Sequence, residues 1–227
     1  MARVGILGGT FNPPHLGHVA LARHARAELG LERVLLMPAN IAPNKGAVSD
    51  DPGPEHRLAM CRLTVAREAG LEASALEIER GGTSYTVDTV QAIHDTHPDS
   101  ELTLIVGADT ARTLPSWRES ARLLSLVRLA VAERDEADPS QDAPASLSSS
   151  SASLPSALGI DSQPGVVRLR MSKLAVSSSA VRELLAAGRP VVQLVGEAVA
   201  GYIAEHGLYR AAAAPAPAPT TGTGGAA

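Results

Sequence analysis

A short apolar run, Val4 to Leu7, ends in two glycines, and the chain then passes through Thr10-Phe11-Asn12-Pro13-Pro14 into His15-Leu16-Gly17-His18. Apolar residues recur at three- and four-residue intervals (Leu16, Val19, Ala20, Leu21, Ala25, Leu29) as far as Gly30, which predicts a helix over Leu16–Leu29 with a glycine stop. The local reading is a strand, a glycine turn, and a helix whose first turn carries both histidines. Free N–H groups and the positive dipole end make a helix start attractive to anions, and glycines let a phosphate approach the backbone. His15 and His18 share one helix face, and Gly17 leaves that face unshielded.

Other readings of this stretch are weaker. A metal pair would want a neighbouring Cys or acidic ligand, and none is close in sequence. Gly5, Gly8 and Gly9 lack the Gly-x-Gly-x-x-Gly spacing of dinucleotide sites, and the Gly-x4-Gly-Lys-Ser/Thr phosphate loop is absent. Ordinary helix-start residues are the plain alternative. Phosphate handling by histidines fits the pattern best.

The same alternation continues downstream. Strand-like runs at Arg3–Leu7, Arg33–Met37, Ala73–Ile78, Leu102–Val106, Arg128–Ala132 and Val166–Arg170 are separated by helical patterns at Leu16–Leu29, Glu55–Ala69, Val87–His94 and Trp117–Leu126. Short buried strands alternating with helices predict an α/β fold, a doubly wound parallel sheet of about six strands with helices on both faces. Ligands of such sheets bind beyond the carboxyl ends of the strands. One domain over 1–210 is expected. A Ser/Pro/Asp-rich insertion at 135–164 interrupts it, and an Ala/Pro tail follows at 211–227; both read as disordered.

Composition narrows the function classes. A net charge of −4 argues against a nucleic-acid binder held by bulk charge. The single Cys61 lies in the apolar-periodic run Leu58–Val65, so it reads as a buried thiol, and a disulfide framework is impossible. No signal peptide or apolar run of spanning length is present, which predicts a cytoplasmic protein. Only Lys45 and Lys173 are lysines among 20 basic residues, which marks both as chemically distinct cations.

Several strand ends carry polar groups suited to a nucleotide. Met37-Pro38-Ala39-Asn40-Ile41-Ala42-Pro43-Asn44-Lys45 is a Pro-held loop with Asn40 and a mobile cation, although a solvated loop lysine reads the same way. The charges of Glu55-His56-Arg57 read as a solvated helix face. In Gly82-Thr83-Ser84-Tyr85-Thr86, Ser84 or Thr86 would cap the next helix, whose N-terminus favours a carboxylate. Gly107-Ala108-Asp109 offers a carboxylate to ribose hydroxyls or to a helix cap. Trp117 offers either core packing or a stacking surface. Ser177-Ser178-Ser179-Ala180-Val181-Arg182, in a helical run closed by Gly188, makes a second anion site or an ordinary capped helix start.

Together these motifs resemble the Rossmann-like nucleotidyltransferase superfamily that shares its HxGH motif with class I aminoacyl-tRNA synthetases, and within it the bacterial nicotinate-nucleotide adenylyltransferases. Gly8-Gly9-Thr10-Phe11-Asn12-Pro13-Pro14-His15-Leu16-Gly17-His18, Ser84-Tyr85-Thr86-Val87-Asp88-Thr89, Gly107-Ala108-Asp109 with Trp117, and Val176-Ser177-Ser178-Ser179-Ala180-Val181-Arg182 carry the likeness, which runs from Arg3 to Tyr209 except across the insertion. Glu55-His56-Arg57-Leu58-Ala59-Met60 also looks like the family's segment at that point, beside its reading as a solvated face. The resemblance implies ATP binding by Gly8, Gly9, Thr10, Phe11, Gly107, Asp109, Ser178, Ser179 and Arg182. It implies catalysis by His15, His18, Lys45 and Arg182. Nicotinate mononucleotide would be held by Asn40, Lys45, Tyr85, Thr86 and Trp117. It further implies Mg²⁺ arriving with ATP, no dedicated protein metal site, and no nucleic-acid or membrane partner; homo-oligomer formation stays open. Pantetheine-phosphate and nicotinamide-nucleotide adenylyltransferases are the rival enzymes, and a non-catalytic nucleotide-binding regulator is the rival of a different class.

Overall fold

The computed structural model describes residues 1–43, 50–134, 165–171 and 176–210. Lys45, Lys173, the 135–164 span and the 211–227 tail lie outside the described residues.

Six strands form one parallel sheet: β1 (Arg3–Gly9), β2 (Arg33–Pro38), β3 (Leu71–Ala73), β4 (Glu101–Gly107), β5 (Arg128–Arg134) and β6 (Val166–Met171), in the order β3-β2-β1-β4-β5-β6. The chain moves outward from β1 to β2 and β3, then returns to the other side of β1 for β4. The connections therefore diverge beyond the carboxyl ends of β1 and β4, which opens a crevice there. The expected doubly wound sheet is present.

Helices cover both faces because successive strand residues point in opposite directions. On one face Val4, Ile6, Leu104 and Val106 meet Val87, Val90 and Ile93 of α4 (Thr86–Thr96) and Leu123 of α6 (Ser120–Leu126). On the other, Leu7 and Ile105 meet Val19, Ala22 and Ala25 of α1 (Leu16–Glu28) and Cys61 of α2 (Pro54–Val65). A third cluster joins Met60 of α2 to Val181 of α7 (Ser178–Ala186), Val195 of α8 (Val192–Val195), Ile203 of α9 (Glu197–Glu205) and Tyr209. Gly30 and Gly188 take φ of 59° and 68°, the left-handed conformation that ends a helix cheaply only at glycine. Both predicted stops therefore hold. No helix of the described residues is long and apolar enough to cross a membrane.

Three element boundaries differ from expectation. The expected strand Ala73–Ile78 is split: β3 stops at Ala73, and Leu76–Arg80 forms the helix α3. Its Leu-Glu-Ile-Glu alternation imitates a strand, but Ser74 Oγ accepts the Leu76 N–H and turns the chain. Glu77 then bonds Thr89 of α4 at 2.7 Å. Trp117 does not begin a helix. It follows α5 (Ala108–Thr113) and a 3₁₀ turn at Leu114–Ser116, and Glu119 at φ 50° breaks the path before α6. The helix expected over Glu55–Ala69 ends at Val65.

Candidate active site

Past Gly9 the chain makes a tight turn that sets both histidines. Phe11 lies at φ 52°, buried, with its ring edge-on to His18 at 4.8 Å, and the Asn12–Pro13 peptide is cis. Pro13 and Pro14 lead to His15, whose extended backbone makes it the N-cap of α1. The His15 N–H donates to His18 Nδ1 at 3.1 Å, and the two imidazoles stack with centroids 3.7 Å apart. A backbone N–H can only donate, so His18 Nδ1 is the acceptor and the ring proton sits on Nε2. Burial holds the His15 imidazole neutral, its pKa lowered from 6.5 to about 4, and its Nδ1 is buried without a partner.

Gly17 sits where two helix starts meet. A Cβ there would lie 2.9 Å from Val176 Cγ1 and 3.0 Å from His15 Nδ1, so any side chain would push His15 or the approach to α7. The expected unshielded face is thus also a close contact. Ser177 caps α7 by accepting the Ala180 N–H. Ser178 Oγ donates to the Pro13 carbonyl at 2.8 Å, and Arg182 Nη1 donates to the Asn12 carbonyl at 2.8 Å. The Ser-rich start with Arg182 and the His-x-Gly-His start face each other across one turn. Ser179 lies beside them, its hydroxyl 3.4 Å from Arg182 Nη2.

The second side of the crevice is built from the loop after β2 and the start of α4. Asn40 donates through its backbone to Ser84 Oγ and through its amide to the Gly82 carbonyl, while Ile41 pairs with Thr83. This changes the expected capping. Tyr85, not Ser84 or Thr86, is the N-cap of α4, and it caps without its side chain. The Ser84 hydroxyl is spent on joining the two loops. Tyr85 carries the Arg118 guanidinium 4.7 Å from its ring centroid. Trp117 is half-buried against the same apolar cluster as Tyr85, its indole N–H on Thr113 Oγ1. Packing therefore claims part of this ring.

Gly8 and Gly107, at the ends of β1 and β4, are bordered by open space, since a Cβ at either meets nothing within 4 Å. Asp109 stands in the first turn of α5 and accepts from Arg112 at 2.7 Å. Among the described residues no group of three or more His, Cys, Asp or Glu side chains is placed to hold a metal ion. Cys61 is fully buried, and burial pushes its thiol far above the ordinary range, so it is no nucleophile.

One residue read as part of a solvated helix face is nothing of the kind. Arg57 is 1% exposed. Its guanidinium donates to the carbonyls of Thr10 (2.8 Å), Ala39 (2.6 Å) and Asn40 (3.0 Å) and to Asp51 Oδ1 (3.0 Å). It ties the turn after β1 to the loop after β2. Its position three and four residues before Met60 and Cys61 puts it in phase with the buried stripe of α2, and that phase is the signal by which sequence could have found it.

A parallel sheet whose connections diverge between β1 and β4, with the starts of α1 and α7 in contact beyond β1, is the architecture of the nucleotide-binding α/β proteins. The cytidylyltransferase-like family model matches residues 6–184. A Roseiflexus sp. (strain RS-1) protein named "Probable nicotinate-nucleotide adenylyltransferase" is 44% identical over 92% of this chain and 98% of its own. One from Gemmatimonas aurantiaca with the same name is 41% identical over 92% of each. The fold matches that of Plasmodium falciparum nicotinic acid mononucleotide adenylyltransferase complexed with NaAD, with TM-score 0.71 and 17% identity over 92% of this chain and 98% of that one. The chain belongs to the nicotinate-nucleotide adenylyltransferases within the cytidylyltransferase-like family.

Proposed function

We propose that the protein transfers the adenylyl group of ATP to nicotinate mononucleotide, giving deamido-NAD and pyrophosphate. The acceptor's phosphate oxygen forms a bond to the α-phosphorus as the bond from that phosphorus to the bridging β-phosphate oxygen breaks. The nucleophile is already ionised and the leaving group departs as an anion, so neither needs a protein base or acid. What remains is alignment and stabilisation of charge. The observation that carries this reading is the contact of the two helix starts, with Ser178 on Pro13 and Arg182 on Asn12.

In this reading His18 presents its Nε2–H to the transferring phosphoryl group, and His15 with Arg182, Ser178 and Ser179 receives the β- and γ-phosphates. Thr10 and Phe11 lie along the turn, and Gly8 and Gly107 leave room for the nucleotide. Asp109 serves the ribose, and Lys45, outside the described residues, is the further cation proposed for the phosphates. The loops joined by Asn40 and Ser84 hold the pyridine nucleotide. There the start of α4 at Tyr85 and Thr86 faces its carboxylate, and the exposed part of Trp117 stacks on the ring. Mg²⁺ would arrive with the ATP phosphates and neutralise part of their charge. The lone buried Cys61 suits a reducing compartment, and the cytoplasm is the proposed setting.

Pyrophosphate release with ATP and each acceptor in turn tests the reading. Turnover with nicotinate mononucleotide well above that with nicotinamide mononucleotide or pantetheine phosphate is expected. Preference for either rival acceptor would replace the assignment. ATP binding without turnover on any of them would mark a regulator.

A further inference from the structure

We infer that Tyr209 is a positioning residue for the turn that launches α1: its hydroxyl, seated on Asn12, fixes the place from which His15 and His18 act. The inference rests on the reading that this turn binds ATP phosphates. Tyr209 Oη donates to Asn12 Oδ1 at 2.6 Å, a buried bond between residues 197 positions apart. Arg182 holds the main-chain carbonyl of the same Asn12, and Ser178 holds that of Pro13. Three donors from the last part of the domain thus converge on two successive residues of the turn.

The turn needs such outside donors. Pro13 and Pro14 have no N–H, so that stretch cannot tie itself down through its own main chain. Tyr209 also adopts φ 61°, a left-handed conformation that costs a bulky residue some strain. Its ring is gripped by the cluster of Met60, Val181, Val195 and Ile203, which holds it in place. Burial pushes the phenol's pKa far up, so it stays a donor throughout the neutral range. A small displacement of groups that align phosphates is felt strongly in rate, whereas the bonds from Asn40 to Ser84 and Gly82 that join the other pair of loops do not pass through Tyr209.

Kinetics and ATP calorimetry on three variants test this. Tyr209→Phe keeps the ring and its packing and is expected to lower kcat/KM for ATP about tenfold, with KM for nicotinate mononucleotide changed less than about twofold. Asn12→Ala should match it, and the double variant should fall no further than the worse single one, because both remove the same bond. Tyr209→Phe within about twofold of wild type in ATP kinetics and affinity would overturn the inference. So would losses that multiply in the double variant, or a lowered Tm with unaltered constants of the folded enzyme. Should the wild type bind ATP yet transfer nothing to nicotinate mononucleotide, the functional reading fails. The variants' ATP affinities then still decide on Tyr209.

Discussion

Replacing His18 with alanine removes an Nε2–H donor from a ring whose orientation is locked by the His15 backbone and by stacking. Loss of one preorganised donor to a phosphoryl transition state should lower kcat about 10²–10³-fold. The far-UV spectrum should stay native, and turnover near wild type would sink the assignment of His18. His15 predicts a pH effect. Its folded pKa of about 4 lies below the unfolded 6.5, so the unfolded chain binds the extra proton. Stability is therefore full above about pH 6.5 and is lost as pH falls toward 4. Between pH 7.5 and 5 this group should cost about 2 kcal/mol in urea unfolding, and His15→Gln should remove that increment. A variant with the wild-type pH dependence would show that His15 is not its source. The proximity of the two histidines was legible in the sequence from their three-residue spacing. The convergence of three donors on Asn12 and Pro13 was not, because each donor lies more than 160 residues away along the chain.

At the scale of elements, α2 does more than cover the sheet. Arg57→Met would leave three carbonyls and Asp51 without their donor in a buried site, and should cost roughly 3 kcal/mol in urea unfolding. A cost under about 1 kcal/mol would mean that the two loops hold their places without it. Arg57 was misread because its charge outweighed its phase, although Met60 and Cys61 share its face. The segment Leu76–Arg80 was misread for the opposite reason. Its alternation has the period of a strand, but β3 has a partner on one side only and stops at Ala73. Thr89 then draws Glu77 onto α4. The strong alternations, β1 with α1 and β4 with its glycine end, needed no such help.

For the whole molecule, the parallel pairing of β5 and β6, with Leu129 opposite Val166, means the 135–164 connection must return from the carboxyl end of β5 to the amino end of β6. A strand of seven residues spans roughly 23 Å, so about a dozen residues are enough for that return. Shortening 135–164 to about 12 residues should leave kcat unchanged and Tm within a few degrees. A large loss of either would give the span a role in the fold or the site. Local sequence determined five of the six strands, the starts of α1 and α7 and their glycine stops, because hydrophobic period, proline, glycine and capping act within a few residues. The tertiary structure alone decided that the start of α7 closes on the start of α1. Only it showed that Ser84 joins loops instead of capping, and that Arg57 and Tyr209 pin the turn from distant parts of the chain. Those contacts are chosen by sheet order and by the need to satisfy buried carbonyls, and neither leaves a local trace in sequence.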